Sequence, residues 1–194
     1  MTILNKIRNR ITTKCRGVKD NLRYEHFGRR SRIIKPMRIQ GKRRISIGNY
    51  VSIMNGARIE AIHMWRGRTL NGRLSIGDGT SFQQCCHIIA ANSVKIGSEC
   101  VFSAFVYIAD CAHSYDPFDN IMDSPLDIKS VSIGNHCFVG IGSCIMPGVN
   151  LGDNVVIGAN SVVTQDIPEN CMAVGSPAQI IKKWDFERNE WRSI

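Results

Sequence analysis

The sequence predicts an all-β protein wound as a parallel solenoid, and three observations lead there. Large apolar residues return at every sixth position, a small or β-branched residue follows four places after most of them, and glycine recurs just after the first of each set. A helix repeats near 3.6 residues and an alternating strand at 2, so neither produces this beat. A period of six with a turn residue in each unit describes short strands that bend and continue. Three of them close a triangular coil of about 18 residues, and successive coils stack.

The runs are Ile47, Ile53, Ile59; Ile76, Phe82, Ile88; Ile96, Phe102, Ile108; and Ile133, Val139, Ile145, Leu151, Ile157, Val163. These side chains are expected to point inward in columns, with Val51, Ala57, Thr80, Cys86, Cys100, Val106, Cys137, Ser143, Val149, Val155 and Ser161 beside the corners. The glycines of "ISIGN", "LSIGD", "VKIGS" and "VSIGN" are expected to ease the turns through positive φ. Coils beginning at 47, 76, 96, 133 and 151 are 29, 20, 37 and 18 residues apart. Two coils therefore carry excursions, one near "HMWRGRTLNGR" and a larger one over roughly 109–132. An insertion of that size in a compact solenoid is usually functional or disordered.

The solenoid is expected over 45–174, between a basic extension (1–44) and a tail (175–194). Residues 1–44 hold fifteen Lys/Arg against Asp20 and Glu25, a balance of +13, while residues 45–194 hold ten against fourteen acidic residues, a balance of −4. Ile3, Ile7, Ile11, Cys15, Val18 and Leu22 draw an apolar stripe that predicts a basic N-terminal helix. Such a helix either packs on the open end of the solenoid or lies on an anionic membrane surface, giving peripheral contact through residues 1–30. Without aromatics interleaved among the charges, nucleic-acid binding is disfavoured. The stretch "GSPAQIIKKWDFERNEW" predicts a turn and a short helical tail, with Trp184, Phe186 and Trp191 capping the solenoid.

No apolar run approaches the roughly 18 residues needed to span a bilayer, and the N-terminus lacks a secretory core, so a cytoplasmic location is expected. The eight cysteines include no C-x-x-C pair and read as small buried hydrophobes.

The stretch "VSIGNHCFVGIGSCIMPGVNLGDNVVIGANSVVTQDIPENCMAVGSPAQIIKK", with the tail "IIKKWDFERNEW", resembles the hexapeptide-repeat acyltransferases, in particular the O-antigen, capsule and sugar O-acetyltransferases. The resemblance runs over about 45–192. It implies a left-handed parallel β-helix, acetyl-CoA as co-substrate, a sugar or glycan acceptor in surface polysaccharide biosynthesis, no metal, and a homotrimer with active sites between subunits.

Of the five histidines, His113 lies at the mouth of the larger excursion, directly after a rigid coil. The segment "IADCAHSY" is similar to the family's stretch in which an aspartate precedes the essential histidine by three residues. His113 is therefore the expected general base, taking the proton of a sugar hydroxyl as it attacks the thioester. Help of this kind is worth roughly 10²–10⁴ in rate. Many relatives carry a second histidine where this chain has Cys111, and a tryptophan where it has Phe138.

The resemblance also assigns coenzyme A to Ile141 and Ala159 through their backbones, then to Thr164, Gln165, Gln179, Lys182 and Lys183. For the acceptor it offers Gln83, Gln84 and Cys85, with Asp110, Tyr115, Asp116 and Asp119 at the excursion. The competing readings are a xenobiotic (antibiotic) acetyltransferase, a γ-type carbonic anhydrase with three zinc-bound histidines, and a non-catalytic solenoid. His87 and His136 lie 26 and 23 residues from His113, which counts against the anhydrase.

Overall fold

A computed structural model describes residues 23–115, 117, 118 and 120–194. Its strands stack into three parallel faces of a triangular prism. Face A runs through His26–Phe27, Ile45–Ile47, Arg73–Ile76, Ser93–Ile96, Val131–Ile133 and Asn150–Leu151. Face B follows Arg32–Ile33, Ser52–Ile53, Ser81–Phe82, Val101–Phe102, Phe138–Val139, Val156–Ile157 and Cys171–Gly175. Face C holds Arg38–Gln40, Arg58–Ala61, His87–Ala90, Tyr107–Ala109, Cys144–Ile145 and Val162–Val163. The chain visits A, B and C in turn, once per coil.

Register follows the six-residue beat. Ile47 pairs with Ile76, Ile76 with Ile96, Ile96 with Ile133 and Ile133 with Leu151 on face A. Every inward position named above is buried, and Phe82 stacks on Phe102 with ring centroids 4.4 Å apart. The smaller corner residues are buried too, and their polar atoms join neighbouring coils. Thr80 Oγ1 donates to Gly97 O (2.8 Å) and accepts from Cys100 N–H (3.1 Å). The Cys86 thiol donates to Ser103 O, and burial pushes its pKa up to about 11.

The glycine expectation is corrected. Gly48, Gly77, Gly97 and Gly134 do not adopt positive φ; that conformation falls two residues later, on Tyr50 (58°), Gly79 (69°), Glu99 (56°) and His136 (56°). The glycines are instead demanded by close stacking. A Cβ on Gly77 would lie 2.6 Å from Gly97 C, and one on Gly97 would lie 2.5 Å from Gly134 O.

Both ends also differ from expectation. The predicted helix falls largely on residues 1–22, outside those described. Residues 26–40, expected in the extension, instead form a first coil whose strands pair parallel with the next one. Phe27, Ile33 and Ile39 continue the beat of six, hidden in sequence by the outward arginines between them. The tail is a β-ribbon rather than a helix. Ala178–Asp185 turns back antiparallel on Cys171–Gly175 and pairs with Glu190–Ser193. Its alternation of Ile180, Lys182 and Trp184 suits a half-buried strand, and Trp184 meets Trp191 edge-on at 5.3 Å.

The two excursions leave the same edge of the prism, between faces C and A. The first is a hairpin of Met64–Trp65 with Arg68–Thr69, and the second pairs Cys111–His113 with Leu126–Ile128.

Candidate functional site

The second hairpin is anchored by Asp110, which ends a face C strand and is fully buried. Its carboxylate accepts the N–H groups of Ala91 (2.6 Å), Asn92 (2.8 Å) and Ser93 (2.6 Å), tying the excursion to the preceding corner. Lys129 N–H donates to Asp110 O at 2.8 Å, closing the hairpin base. Asp110 is thus committed to the backbone, which corrects its assignment as an acceptor-binding residue.

Cys111 pairs across the hairpin with Ile128. Burial, reinforced by the charge of Asp110, pushes its thiol up to about 12. At neutral pH it is a protonated thiol and a poor nucleophile.

His113 lies two residues on, opposite Leu126. It is half-buried, and its Nδ1 is enclosed with no hydrogen-bond partner among the described residues. The edge contact on its ring comes from Trp65 of the first hairpin, centroids 5.5 Å apart. The hairpins are joined again by Arg66 and Asp123 at 2.6 Å. Both excursions are marked in the sequence, but Trp65 is not, because nothing local in the chain links residues 48 positions apart. A tryptophan inside an insertion that interrupts the repeat was the available signal.

Beneath the hairpins, buried Glu60 binds Arg38 (2.9 Å) and Arg58 (2.7 Å). The hydrogen bond to Glu60 raises the Arg58 pKa further. His87, on the same face, is held below the usual histidine range by burial and by Arg58. Among the described residues, no group of three or more His, Cys, Asp or Glu is placed to hold a metal ion. His136 is remote from His113 in the fold, facing Glu99 at 3.3 Å on the corner between faces A and B.

The remaining sequence-predicted residues divide between edges. Gln83, Gln84 and Cys85 form the corner between faces B and C in the third coil, with Gln83 and Gln84 exposed. That corner continues as a ladder: Phe105 N–H donates to Gln84 O (2.9 Å), Gly142 to Ala104 O (3.0 Å) and Asn160 to Ile141 O (2.8 Å). Ile141 and Ala159 are therefore stacked neighbours, and Phe105 is an exposed aromatic on the same line that the repeat pattern did not single out. Thr164 and Gln165 are exposed just after the last face C strand, while Gln179, Lys182 and Lys183 belong to the terminal ribbon. Tyr115 is 79% exposed at the hairpin tip, and Asp116 and Asp119 lie outside the described residues. Phe138 points outward on face B in a row with Val101, Val156 and Met172. Within one chain, then, His113 and the Gln84–Ile141–Ala159 ladder occupy different edges.

A left-handed parallel β-helix bearing a histidine hairpin on one edge and a laddered corner on another defines a hexapeptide-repeat acyltransferase. The profile of the hexapeptide repeat of succinyl-transferase matches residues 130–165. The lipopolysaccharide biosynthesis O-acetyl transferase WbbJ of Escherichia coli K12 is 34% identical over 185 residues, covering 91% of each chain. The maltose O-acetyltransferase of Clostridium difficile 630 is 26% identical with TM-score 0.57, over 84% of this chain and 72% of that one. AntD, an N-acyltransferase of Bacillus cereus solved as an aspartate-to-alanine mutant with dTDP and coenzyme A, shares the fold at TM-score 0.70 and 19% identity, over 88% and 89%. The chain belongs to the hexapeptide-repeat O-acetyltransferase family. No helix among the described residues is long and apolar enough to cross a membrane.

Proposed function

We propose that the protein transfers an acetyl group from acetyl-CoA to a sugar hydroxyl in the biosynthesis of a bacterial surface polysaccharide, with His113 as general base. The observation that carries this is the setting of His113: a hairpin anchored by Asp110 presents the ring and Nδ1 is enclosed, so Nε2 is the nitrogen left to meet a hydroxyl. Nε2 accepts the hydroxyl proton while the oxygen adds to the thioester carbonyl. As the tetrahedral adduct collapses and the carbon–sulfur bond breaks, the proton passes to the departing thiolate. The high thiol pKa of Cys111 supports direct transfer without an acyl-cysteine.

In this reading Ile141, Ala159, Thr164, Gln165, Gln179, Lys182 and Lys183 line the coenzyme A path, and Gln83, Gln84 and Tyr115 face the acceptor. The histidine edge and the ladder edge are apart in one chain, so the site is completed by a second copy within a homotrimer. The outward apolar row of Val101, Phe138, Val156 and Met172, exposed at Val101 and Phe138 and half-buried at the other two, supports such packing. Peripheral membrane contact through the basic N-terminus, on the cytoplasmic side, completes the reading. Its flotation test should remove residues 1–22 and leave the first coil intact; unchanged flotation would sink it.

The deciding experiment is thiol release from acetyl-CoA across nucleotide sugars, glycan repeats and antibiotics, with wild type and His113→Ala. Acceptor-dependent release with a sugar, reduced about 100-fold or more in the variant, is expected. Near-wild-type turnover by His113→Ala would overturn the mechanism, and release with antibiotics alone would overturn the substrate class.

A further inference from the structure

The terminal ribbon carries a cleft of about 300 Å³, lined by Asn154, Asn170, Trp184, Phe186 and Trp191. Trp184 and Trp191 pair directly across the ribbon, their ring planes inclined at 77°. Phe186 lies on the turn between the two strands and is 71% exposed. Asp185 holds that turn, its carboxylate accepting the N–H groups of Glu187 (3.0 Å) and Arg188 (3.1 Å). Trp184 N–H donates to Asn170 O at 2.8 Å, which fastens the ribbon to the corner between faces A and B. None of the three aromatic residues belongs to the apolar core, so core packing does not account for them.

The polar groups of the cleft are neutral and uncommitted. Asn154 Nδ2 donates to Asn170 Oδ1 (2.9 Å), which leaves Asn154 Oδ1 and Asn170 Nδ2 without a partner among the described residues. The indole N–H groups of Trp184 and Trp191 also meet no acceptor among the described residues, and neither is enclosed. No charged side chain lines the cleft. Aromatic rings beside neutral donors and acceptors suit a sugar, which offers apolar C–H faces with hydroxyls around the rim. A nucleobase would stack there too, but its phosphates would find no cation among the lining residues. A purely apolar ligand would bury the amide and indole groups without partners, which is costly.

The cleft and His113 belong to different parts of the prism. His136, Asn154 and Asn170 follow one another along the corner between faces A and B, whereas the His113 hairpin leaves the edge between C and A. The cleft also lies two to three coils beyond Tyr107–Ala109, roughly 10–15 Å along the axis at about 4.8 Å per coil. With the width of face A added, no single sugar touches both. We propose that the cleft is a second carbohydrate site, which holds a neutral sugar of the acceptor glycan remote from the sugar being acetylated. This rests on the O-acetyltransferase reading and adds to it a site that favours long acceptors over short ones.

The test uses oligosaccharides of one, two and four repeat units, prepared from the de-O-acetylated surface polysaccharide of the bacterium that encodes this chain. Tryptophan fluorescence reports binding, since two of the three tryptophans line the cleft. Wild type is compared with Phe186→Ala, whose exposed ring can be removed without touching the core, and with Trp191→Ala; melting curves verify folding. We expect saturable binding of the four-repeat probe to wild type, at least fivefold weaker in each variant. In acetyl transfer, KM should fall at least fivefold from one repeat to four in wild type with kcat unchanged, and the variants should lose that dependence on length. Binding that the variants leave intact, or a KM independent of length, overturns the inference and leaves the acetyltransferase standing. Displacement of the probe by coenzyme A or adenosine monophosphate overturns it in favour of a nucleotide site. A change of oligomeric mass in the variants overturns it in favour of a contact between copies. Binding without transfer to any sugar keeps the carbohydrate site and overturns the acetyltransferase reading instead.

Discussion

The indole of Trp65 meets the imidazole of His113 edge-on, with centroids 5.5 Å apart and planes inclined at 64°. The contact joins two insertions that are separate in sequence and leave the prism two coils apart. With Nδ1 of His113 and Nε1 of Trp65 both buried without hydrogen-bond partners among the described residues, shape rather than polar bonding orients the imidazole. In the proposed mechanism Trp65 is therefore a positioning residue.

Trp65→Ala should lower kcat about tenfold, equivalent to about 1.4 kcal/mol, with a smaller effect on KM for either substrate. Trp65→Phe should recover most of the loss, because it restores an aromatic edge. Steady-state kinetics with the pH profile of kcat decide: a purely structural role would move melting temperature and leave that profile unchanged.

Cys111→Ala should keep activity within about twofold, since a thiol with a pKa near 12 is almost wholly protonated at pH 8. Iodoacetamide followed by mass spectrometry should modify Cys111 slowly in the folded protein and rapidly in urea. Fast labelling of the native protein would contradict the raised thiol pKa of this half-buried residue.

Stability should fall as pH rises above about 9. Cys111 and Cys86 stay protonated in the folded state up to about 12 and about 11, whereas in the unfolded chain they ionise near 9. Between those limits the unfolded state binds fewer protons, so the linkage slope is negative. Urea titrations from pH 8 to 10.5 should show the decline, and Cys111→Ala should flatten it.

Asp110→Asn should destabilise the protein by about 2–4 kcal/mol, because hydrogen bonds to a charged group contribute about 1.5–3 kcal/mol each. One amide cannot accept three N–H groups as the carboxylate does. Urea unfolding measures this, and proteolysis should cut first within 110–130, where the anchor is lost.

Gly97→Ala and Glu99→Gly form an opposed pair. The first places a methyl group 2.5 Å from Gly134 O and should cost about 1–3 kcal/mol. The second removes a non-glycine residue from φ 56° and should stay within about 1 kcal/mol of wild type. Equal destabilisation by both would show that stacking distance does not explain the glycines.

The core was legible because a solenoid repeats its own environment: each of Ile47, Phe82 and Val139 meets a similar column, so period alone reveals burial. The first coil was harder to see, since Arg29, Arg30, Arg32 and Arg38 surround Phe27, Ile33 and Ile39 and made the segment look like part of the basic extension. In the tail, alternation at Ile180, Lys182 and Trp184 competed with a helical reading of the same residues. The histidine was legible from its position in a break of the repeat. Its aromatic neighbour was not, because Trp65 reaches it only through the stacking of coils. Asp110 was misjudged for a related reason: a carboxylate near a candidate general base looks substrate-facing until its three backbone donors are seen.

Because both hairpins leave one edge, and a single full coil without an insertion there separates their departures, the prism acts as a ruler. Adding or deleting a coil between residues 73 and 109 would shift Trp65 against His113 by one strand spacing, about 4.8 Å. The core would tolerate that change, since every coil offers its neighbour a similar apolar cross-section. The contact between the two hairpins would not. Changes at the hairpin tips leave that spacing untouched, whereas a change in the coil count between them moves Trp65 off His113.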